Sequence, residues 1–193
     1  VTATWTLRTV PATASWYAVA YGLSKFVAVS GGASTAGAYS ADGAKWTSTG
    51  ALTTSGDWRA LAFGNDRFVA LSYNSTDSNY STNGTSWTAG GALPGTRNWT
   101  SITYGEGTFV AVASGNASGA YSTDGGVTWN DTTMPSAASW SSVTYGNGTF
   151  VAVATGPSTA AAYSADGITW SSSTLPNSRS WVGVAFGNNL FSA

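Results

Sequence analysis

Hydrophobic and polar residues alternate in short stretches along the whole chain. Between Trp99 and Tyr104, Ile102 and Tyr104 alternate with Ser101 and Thr103, which is the two-residue period of a β-strand. Turns rich in Gly, Asn and Asp separate such stretches. No stretch carries hydrophobic residues at i, i+3, i+4 and i+7 over three helical turns. The pattern therefore predicts an all-β protein.

Two series of tryptophans divide the chain into repeats of about 41 residues. The first series consists of Trp16, Trp58, Trp99, Trp140 and Trp181. The second series consists of Trp5, Trp46, Trp87, Trp129 and Trp170. We predict a single domain over residues 1–193, with repeats at roughly 16–57, 58–98, 99–139 and 140–180. The fifth unit combines 181–193 with 1–15.

Within the repeat that begins at Trp99, turn signals separate four short segments. Segment A covers 99–104, segment B covers 109–113, segment C surrounds 120–121 and segment D covers 127–129. Four antiparallel strands in about 41 residues are typical of one β-propeller blade. The sequence therefore predicts a five-bladed β-propeller with four-stranded antiparallel blades, of which the fifth is composite and incomplete.

The fifth unit lacks part of the repeat. In register, Ala193 corresponds to Ala152 and Val1 to Asp166, so the counterparts of 153–165 are missing. We expect the two ends to meet in one blade, with the N-terminal segment supplying strand D, because an open strand edge readily pairs with other chains. For the same reason, we expect a tendency to self-associate at this edge.

Segment A has one bulky face and one face of small residues. The bulky positions are Val19, Leu61, Ile102, Val143 and Val184, each followed two residues later by Tyr or Phe. The positions between them hold Ala, Ser, Thr or Gly. Because a bulky face fits against a small one, we expect neighbouring blades to interdigitate along segment A.

The turn between segments C and D carries a recognisable motif. The stretch from Ser122 to Trp129 reads S-T-D-G-G-V-T-W, and shorter versions occupy 40–46, 81–87 and 164–170. These stretches resemble the Asp box, S-x-D-x-G-x-T-W, of sialidases and other propellers with BNR-type repeats. The amino-acid sequence of the repeats is also similar to that of repeats in phage tail and bacterial surface proteins. The resemblance implies peripheral, structural turns at Asp42, Asn83, Asp124 and Asp166.

Composition narrows the function further. Charged residues make up 8% of the chain, the net charge is −1, and there is no His and no Cys. Electrostatic capture of nucleic acid or insertion into a membrane is therefore not expected. The usual thiolate, imidazole and transition-metal chemistry is also missing, so we expect no metal and no cofactor. A surface kept in water by hydroxyls and amides favours an extracellular, cell-surface or virion location.

The resemblance to sialidases raises the question of catalysis. A sialidase site requires three arginines on the substrate carboxylate, a Tyr nucleophile supported by Glu, and an Asp acid/base. This chain has five arginines and a single glutamate, Glu106, which falls in the turn between segments A and B. We therefore expect that the chain is not an enzyme. A sialidase-like glycoside hydrolase ranks third among the functions considered.

Positions that differ between repeats indicate a binding surface. The residue after the segment A tryptophan is Tyr17, Arg59, Thr100, Ser141 or Val182, at the end where the D–A loops enter. A constant scaffold with variable loops on one face is typical of recognition. We predict a non-enzymatic module that binds a glycan or cell-surface ligand through Trp16, Trp58, Trp99, Trp140, Trp181, Arg59, Arg97, Arg179 and Asp57. A core role is the alternative for each Trp, and a structural or assembly module is the alternative function.

Overall fold

The structure is a computed structural model that describes residues 6–193. The described residues form sixteen β-strands in four antiparallel sheets and contain no helix. No helical span across a membrane exists in this part of the chain. The prediction of an all-β protein is therefore confirmed.

The first two sheets are four-stranded blades in which each strand pairs with the next one along the chain. The first blade consists of β1 (Ser15–Gly22), β2 (Lys25–Gly31), β3 (Gly37–Ser40) and β4 (Thr47–Ser48). The second blade consists of β5 (Trp58–Gly64), β6 (Arg67–Ser72), β7 (Ser78–Ser81) and β8 (Thr88–Ala89). In both blades the outermost strand has only two residues.

The third and fourth blades share long strands and form one six-stranded sheet in the order β14-β13-β12-β11-β10-β9. The strands are β9 (Asn98–Gly105), β10 (Thr108–Ser122), β11 (Asn130–Gly146), β12 (Thr149–Thr155), β13 (Ser158–Ser164) and β14 (Ser171–Arg179). β11 pairs with β10 through residues 130–133 and 138–139, and with β12 through residues 139–146. It therefore contains the last strand of the third blade and the first strand of the fourth.

A short hairpin occupies the fifth blade position. β15 (Ala185–Gly187) pairs with β16 (Leu190–Ser192) and with no other described strand. Residues 6–14 contain no strand, and 1–5 lie outside the described residues. The described part of the expected composite blade is therefore this hairpin alone.

Neighbouring blades interlock through an aromatic ring that packs on a glycine. A Cβ placed on Gly22, Gly64, Gly105 or Gly146 would lie 2.0–2.2 Å from a ring carbon of the next blade. The four rings belong to Phe63, Tyr104, Tyr145 and Phe186. Only glycine leaves room for this approach, so the expected fit of a bulky face against a small one is confirmed.

The hydrophobic cores lie between blades. At the bulky position of segment A, Leu61, Ile102 and Val143 are buried, whereas Val19 of the first blade is 60% exposed. Gly187, the counterpart of the four interlocking glycines, has no atom within 4 Å of its would-be Cβ. Among the described residues no ring of the first blade packs on Gly187. The strand expected from the N-terminal segment falls largely on 1–5, outside the described residues, so the meeting of the two ends stays a prediction.

The turns between strands C and D are built alike. Asp42 Oδ1 accepts hydrogen bonds from the backbone N–H groups of Ala44 at 2.8 Å and Lys45 at 2.9 Å, and Gly43 has a φ of 72°. These bonds keep the following residues in the turn. As a result, the last strand of each blade begins after the tryptophan, at Asn130 in the third blade, and not at the predicted residues 127–129.

Candidate ligand-binding site

The segment A tryptophans lie mainly in the cores between blades. Trp58, Trp99 and Trp140 are completely buried, and Trp16 and Trp181 are partly buried. In the buried three, no ring face is left for a ligand. A ligand contact by Trp16 or Trp181 stays a prediction.

The buried indoles also fix the loops at this end of the blades. Trp58 Nε1 donates a hydrogen bond to Ser34 O at 3.0 Å, and Trp99 Nε1 donates one to Ser75 O at 3.1 Å. Each acceptor lies in the B–C loop of the preceding blade. Loops held to a buried ring in this way present their side chains in a defined position.

Arg59 forms the centre of a polar and aromatic cluster between the first two blades. Its guanidinium carbon lies 4.0 Å from the ring centroid of Tyr73 and 4.8 Å from that of Tyr17. Its Nη2 atom lies 2.6 Å from Asp57 Oδ2. Asp57 Oδ1 accepts a hydrogen bond from Gly32 N–H at 3.0 Å. We call Tyr17, Asp57, Arg59 and Tyr73 the Arg59 cluster.

Backbone structure brings the Arg59 cluster together. Tyr17 lies on β1, Arg59 lies on β5, and Tyr73 directly follows β6. Tyr73 N–H donates to Asp57 O at 2.8 Å, which holds these two residues side by side. A Cβ on Gly31 would lie 2.1 Å from Asp57 Oδ1 and 2.7 Å from the Tyr17 ring, so glycine is needed for this close approach.

The charges of the cluster stabilise each other. The hydrogen bond from Arg59 lowers the pKa of the Asp57 carboxyl, and partial burial opposes this effect. The hydrogen bond with Asp57 raises the pKa of Arg59. Arg59 Nε is buried and has no hydrogen-bond partner among the described residues. The pair therefore stays ionised across the neutral pH range, and the Arg59 guanidinium packs against the rings of Tyr17 and Tyr73.

A comparison of equivalent positions in the repeats shows which residues of the Arg59 cluster could be predicted from the sequence. In the third and fourth blades the counterparts of Arg59 are Thr100 and Ser141, whose hydroxyls donate to the backbone of the next blade. Arg59 and Asp57 were predicted as ligand contacts, and the structure brings them together. Tyr73 was missed, although an aromatic residue there departs from its counterparts Gly31, Ser114 and Thr155.

The other predicted arginines lie elsewhere. Arg97 Nη1 lies 2.7 Å from Asp131 Oδ1, and its guanidinium carbon lies 5.7 Å from the centre of the Trp99 ring. Arg179 is exposed at the end of β14. The predicted charged residues therefore divide between different blades, and only Asp57 and Arg59 share one cluster. Asp131 is a further charged residue that the sequence prediction did not include.

The opposite end of the blades has its own polar contacts. Arg67 Nη1 donates to Asp124 O at 3.2 Å, and its guanidinium carbon lies 4.9 Å from the ring centroid of Tyr80. Tyr145 Oη donates to Glu106 Oε1 at 2.5 Å, and this bond raises the pKa of Tyr145. Glu106 is exposed in the A–B turn. Arg59, Arg67 and Arg97 each have separate partners, so they do not converge on this Tyr–Glu pair.

Comparisons with known proteins identify the fold class. No protein-family model and no curated protein matches the chain. The structure of virginiamycin B lyase from Staphylococcus aureus is similar, with a TM-score of 0.80, 15% identity, and coverage of 95% of this chain and 64% of that one. YCF48 from Cyanidioschyzon merolae has a TM-score of 0.69, 15% identity, and coverage of 97% and 64%.

These similarities concern architecture. The computationally designed Ika8 protein is also similar, with a TM-score of 0.63, 15% identity, and coverage of 91% of this chain and 54% of that one. The chain spans less than two thirds of the length of each of these proteins. The propeller architecture of virginiamycin B lyase and YCF48, together with the four-stranded antiparallel blades, places the chain in the β-propeller fold class.

Proposed function

We propose that the chain is a non-enzymatic binding module that recognises a glycan or another cell-surface ligand at the Arg59 cluster. The single observation that carries this proposal is the Tyr17–Arg59–Tyr73 stack with Asp57, which none of the other repeats contains. Between the other described blades the corresponding positions hold hydroxyls that bond to the neighbouring backbone.

The chemistry of the cluster suits a sugar. Tyr17 is 53% exposed and offers ring surface to the C–H groups of a pyranose. Next to it, the Arg59 side chain is 34% exposed and that of Asp57 is 23% exposed, so both offer hydrogen-bonding atoms to ring hydroxyls. An aromatic plane beside a few fixed polar groups is a common composition of small-ligand sites.

The wider context of the proposal comes from the repeats. We place the chain with the Asp-box, BNR-like propellers on the sequence of its C–D turns, and outside the cell or on a virion, for example in a phage tail, on its composition. The four turns place their Asp or Asn oxygens on backbone N–H groups, in agreement with a structural role for these residues.

A glycan array probed with the complete 193-residue chain tests this function. We expect saturable binding of at least one glycan class. Arg59→Ala should weaken binding by about tenfold, or ~1.4 kcal/mol, because it removes both the charge and the support of the two rings. Tyr17→Ala should have a similar effect.

Arg67→Ala is the matched control. Arg67 lies in the same blade and also stacks near a tyrosine, but at the opposite end of the β5–β6 hairpin. Its substitution should leave glycan affinity within about twofold, a change of ~0.4 kcal/mol. Equal losses in the two variants, or a chain that binds no glycan, would reject the Arg59 cluster as a lectin site.

A second candidate is an assembly module that binds a peptide. One similar structure, at a TM-score of 0.67 and 16% identity, is YCF48 bound to D1 peptide. That description applies to YCF48, and for the present chain it suggests a peptide ligand as the alternative. Two results together would favour this second function. The chain would bind no glycan, and it would bind members of a peptide library in a way that the Arg59→Ala substitution abolishes.

A further inference from the structure

The dipeptide Asn-Gly occurs twice in the chain, at Asn83-Gly84 and at Asn147-Gly148. A threonine follows in both places, so the local sequences are nearly the same. An asparagine before glycine is prone to cyclise onto the backbone, because glycine puts no side chain in the way of its own nitrogen. The folded surroundings of the two dipeptides differ, and this difference bears on their chemical stability.

The reaction is a displacement of the side-chain amide by the backbone. The glycine nitrogen attacks Cγ of the asparagine and loses its proton, and the side-chain nitrogen leaves as ammonia. The new N–C bond closes a succinimide ring. Water then adds to one of the two ring carbonyls and opens the ring, which gives either aspartate or isoaspartate. Water is therefore the one co-reactant, and the product carries a new carboxylate.

At Asn83 the C–D turn holds both reacting groups. Asn83 Oδ1 accepts hydrogen bonds from Thr85 N–H and Ser86 N–H, both at 2.8 Å. Ser81 Oγ donates to the same oxygen at 3.2 Å. It also accepts from Gly84 N–H, which carries the attacking nitrogen, at 2.8 Å. Cyclisation at Asn83 must therefore break hydrogen bonds of the side chain and of the nucleophile.

Packing further restricts the peptide group between Asn83 and Gly84. Gly84 is buried, and a Cβ placed on it would lie 2.9 Å from Val27 Cγ2 and 3.0 Å from Phe68 Cε2. Lys25 Nζ donates a hydrogen bond to Asn83 O at 2.9 Å. The backbone at this dipeptide is thus fixed from two sides, and it cannot rotate into the geometry of attack without losing these contacts.

Asn147-Gly148 has none of this support. The two residues form the turn between β11 and β12, with φ values of 48° and 73° as in a type I′ turn. Both are exposed, and a Cβ on Gly148 would have no atom within 4 Å. The nearest side-chain hydrogen bond along the chain joins Tyr145 Oη to Glu106 Oε1 and leaves the Asn147 side chain without a partner among the described residues.

We propose that Asn147 is a modification site, at which the folded chain converts to aspartate and isoaspartate, and that the C–D turn protects Asn83. Conversion adds a negative charge to a chain whose net charge is −1. Isoaspartate also adds one carbon atom to the backbone of a two-residue turn, and this disturbs the pairing of Gly146 with Thr149. The turn lies at the opposite end of the blades from the Arg59 cluster, so the site is independent of the proposed ligand site.

Ageing of the complete chain at neutral pH tests the proposal. Peptide mapping by mass spectrometry follows the loss of ammonia and uptake of water, and electron-transfer fragmentation distinguishes isoaspartate from aspartate. In the folded chain, Asn147 should convert at least about tenfold faster than Asn83, because the hydrogen bonds of Asn83 raise its barrier. In the chain unfolded by urea, the two rates should agree within about threefold, since both sites read Asn-Gly-Thr.

Two variants separate the effect of the fold from that of the local sequence. Ser81→Ala removes the acceptor of Gly84 N–H, so it should speed up conversion at Asn83 at least about threefold and leave Asn147 unchanged. Asn147→Glu copies the turn at 106–107, which has the same positive φ values, 45° and 78°. On ageing, this variant should lack most of the acidic shift that isoelectric focusing detects in the parent chain. Circular dichroism and thermal melting check that both variants are folded.

Equal conversion of Asn83 and Asn147 in the folded chain would overturn the proposal. It is also wrong if Asn147 stays intact over the time in which the unfolded chain converts, because the turn would then protect it. A difference of about tenfold that persists in urea would assign the effect to the preceding residues, Thr82 and Gly146, and not to the fold.

Discussion

At the scale of single residues, an acceptor oxygen holds each C–D turn. Asp166 Oδ1 accepts from Ile168 N–H and Thr169 N–H, both at 2.8 Å. Asn83 makes the equivalent two bonds at 2.8 Å with an amide oxygen. The geometry therefore requires an oxygen and not a charge.

Substitutions at Asp166 test this requirement. Asp166→Ala should lower the free energy of unfolding by about 1 kcal/mol, because two backbone N–H groups lose their acceptor. Asp166→Asn should cost less than half of that. Urea unfolding followed by tryptophan fluorescence measures both values. Equal losses in the two variants would show that the charge, and not the acceptor, stabilises the turn.

The turn carboxylates also predict an acid limit of stability. Backbone hydrogen bonds, first of all from Lys45 and Thr169, lower the pKa values of Asp42 and Asp166 below 3.8. A carboxyl group with a lowered pKa in the folded state contributes stability above the unfolded pKa, and this contribution is lost as pH falls through the folded pKa. At pH values lower than about 3.8, the melting temperature should therefore decrease. The decrease should be smaller in the Asp166→Asn variant.

Residue types alone could predict one half of the Arg59 cluster. Asp57 and Arg59 stand out because charged residues are rare in this chain and because Arg59 occupies a variable position. For Trp58, Trp99 and Trp140, the sequence could not distinguish a buried core role from a ligand-binding role. An indole beside polar loops is compatible with either role. The Tyr73 ring packs on Arg59, but Tyr73 lies after β6 and Arg59 lies on β5. Their contact depends on the fold, so comparing the repeats strand by strand does not reveal it.

At the scale of strands, the glycine that ends the first strand of each blade controls blade packing. Gly146 Cα lies under the Phe186 ring, and a Cβ there would approach the ring to 2.1 Å. Gly146→Ala should therefore lower the free energy of unfolding by about 1–3 kcal/mol through overpacking. Thermal and urea unfolding measure this loss.

Gly187→Ala is the matched control, because Gly187 holds the same repeat position with nothing within 4 Å of a Cβ. It should change stability by less than about 0.5 kcal/mol. A loss as large as that of Gly146→Ala would mean that a ring, such as that of the 58% exposed Tyr21, packs on Gly187 in solution.

Strand identities were predictable where the two-residue period was clear. The first strand of each blade follows from its alternating bulky and small residues, as β9 illustrates. The start of the last strand was predicted too early. Its tryptophan has strand-like neighbours, but Asp124 Oδ1 accepts from Val127 N–H at 3.0 Å and Thr128 N–H at 2.9 Å and keeps them in the turn.

At the scale of the whole molecule, blade number and closure are the least predictable features. Repeats contact mainly their neighbours, so each interface can form without information about the two ends of the series. Register predicts an incomplete fifth unit, and the described strands of that unit are β15 and β16. It did not indicate that the described residues would leave Val19 60% exposed and place no atom near a Cβ on Gly187, because closure depends on the small angle between blades summed over all the repeats.

Local stability should therefore decline towards the last hairpin. β12 pairs with strands on both sides, whereas β15 and β16 pair with each other and with no other strand in residues 6–193. Leu190 is 67% exposed and Val182 is 76% exposed, so little apolar burial supports the hairpin. A two-stranded hairpin without such support is marginally stable in water.

Hydrogen–deuterium exchange measured by mass spectrometry tests this gradient. Peptides that cover β15 and β16 should exchange at least about a hundredfold faster than those that cover β12, which corresponds to ~2.7 kcal/mol less protection. The β5–β6 hairpin is the internal comparison, because it has the same repeat position but is covered on both sides by neighbouring blades. Equal protection of the two hairpins would show that the last one is covered in solution.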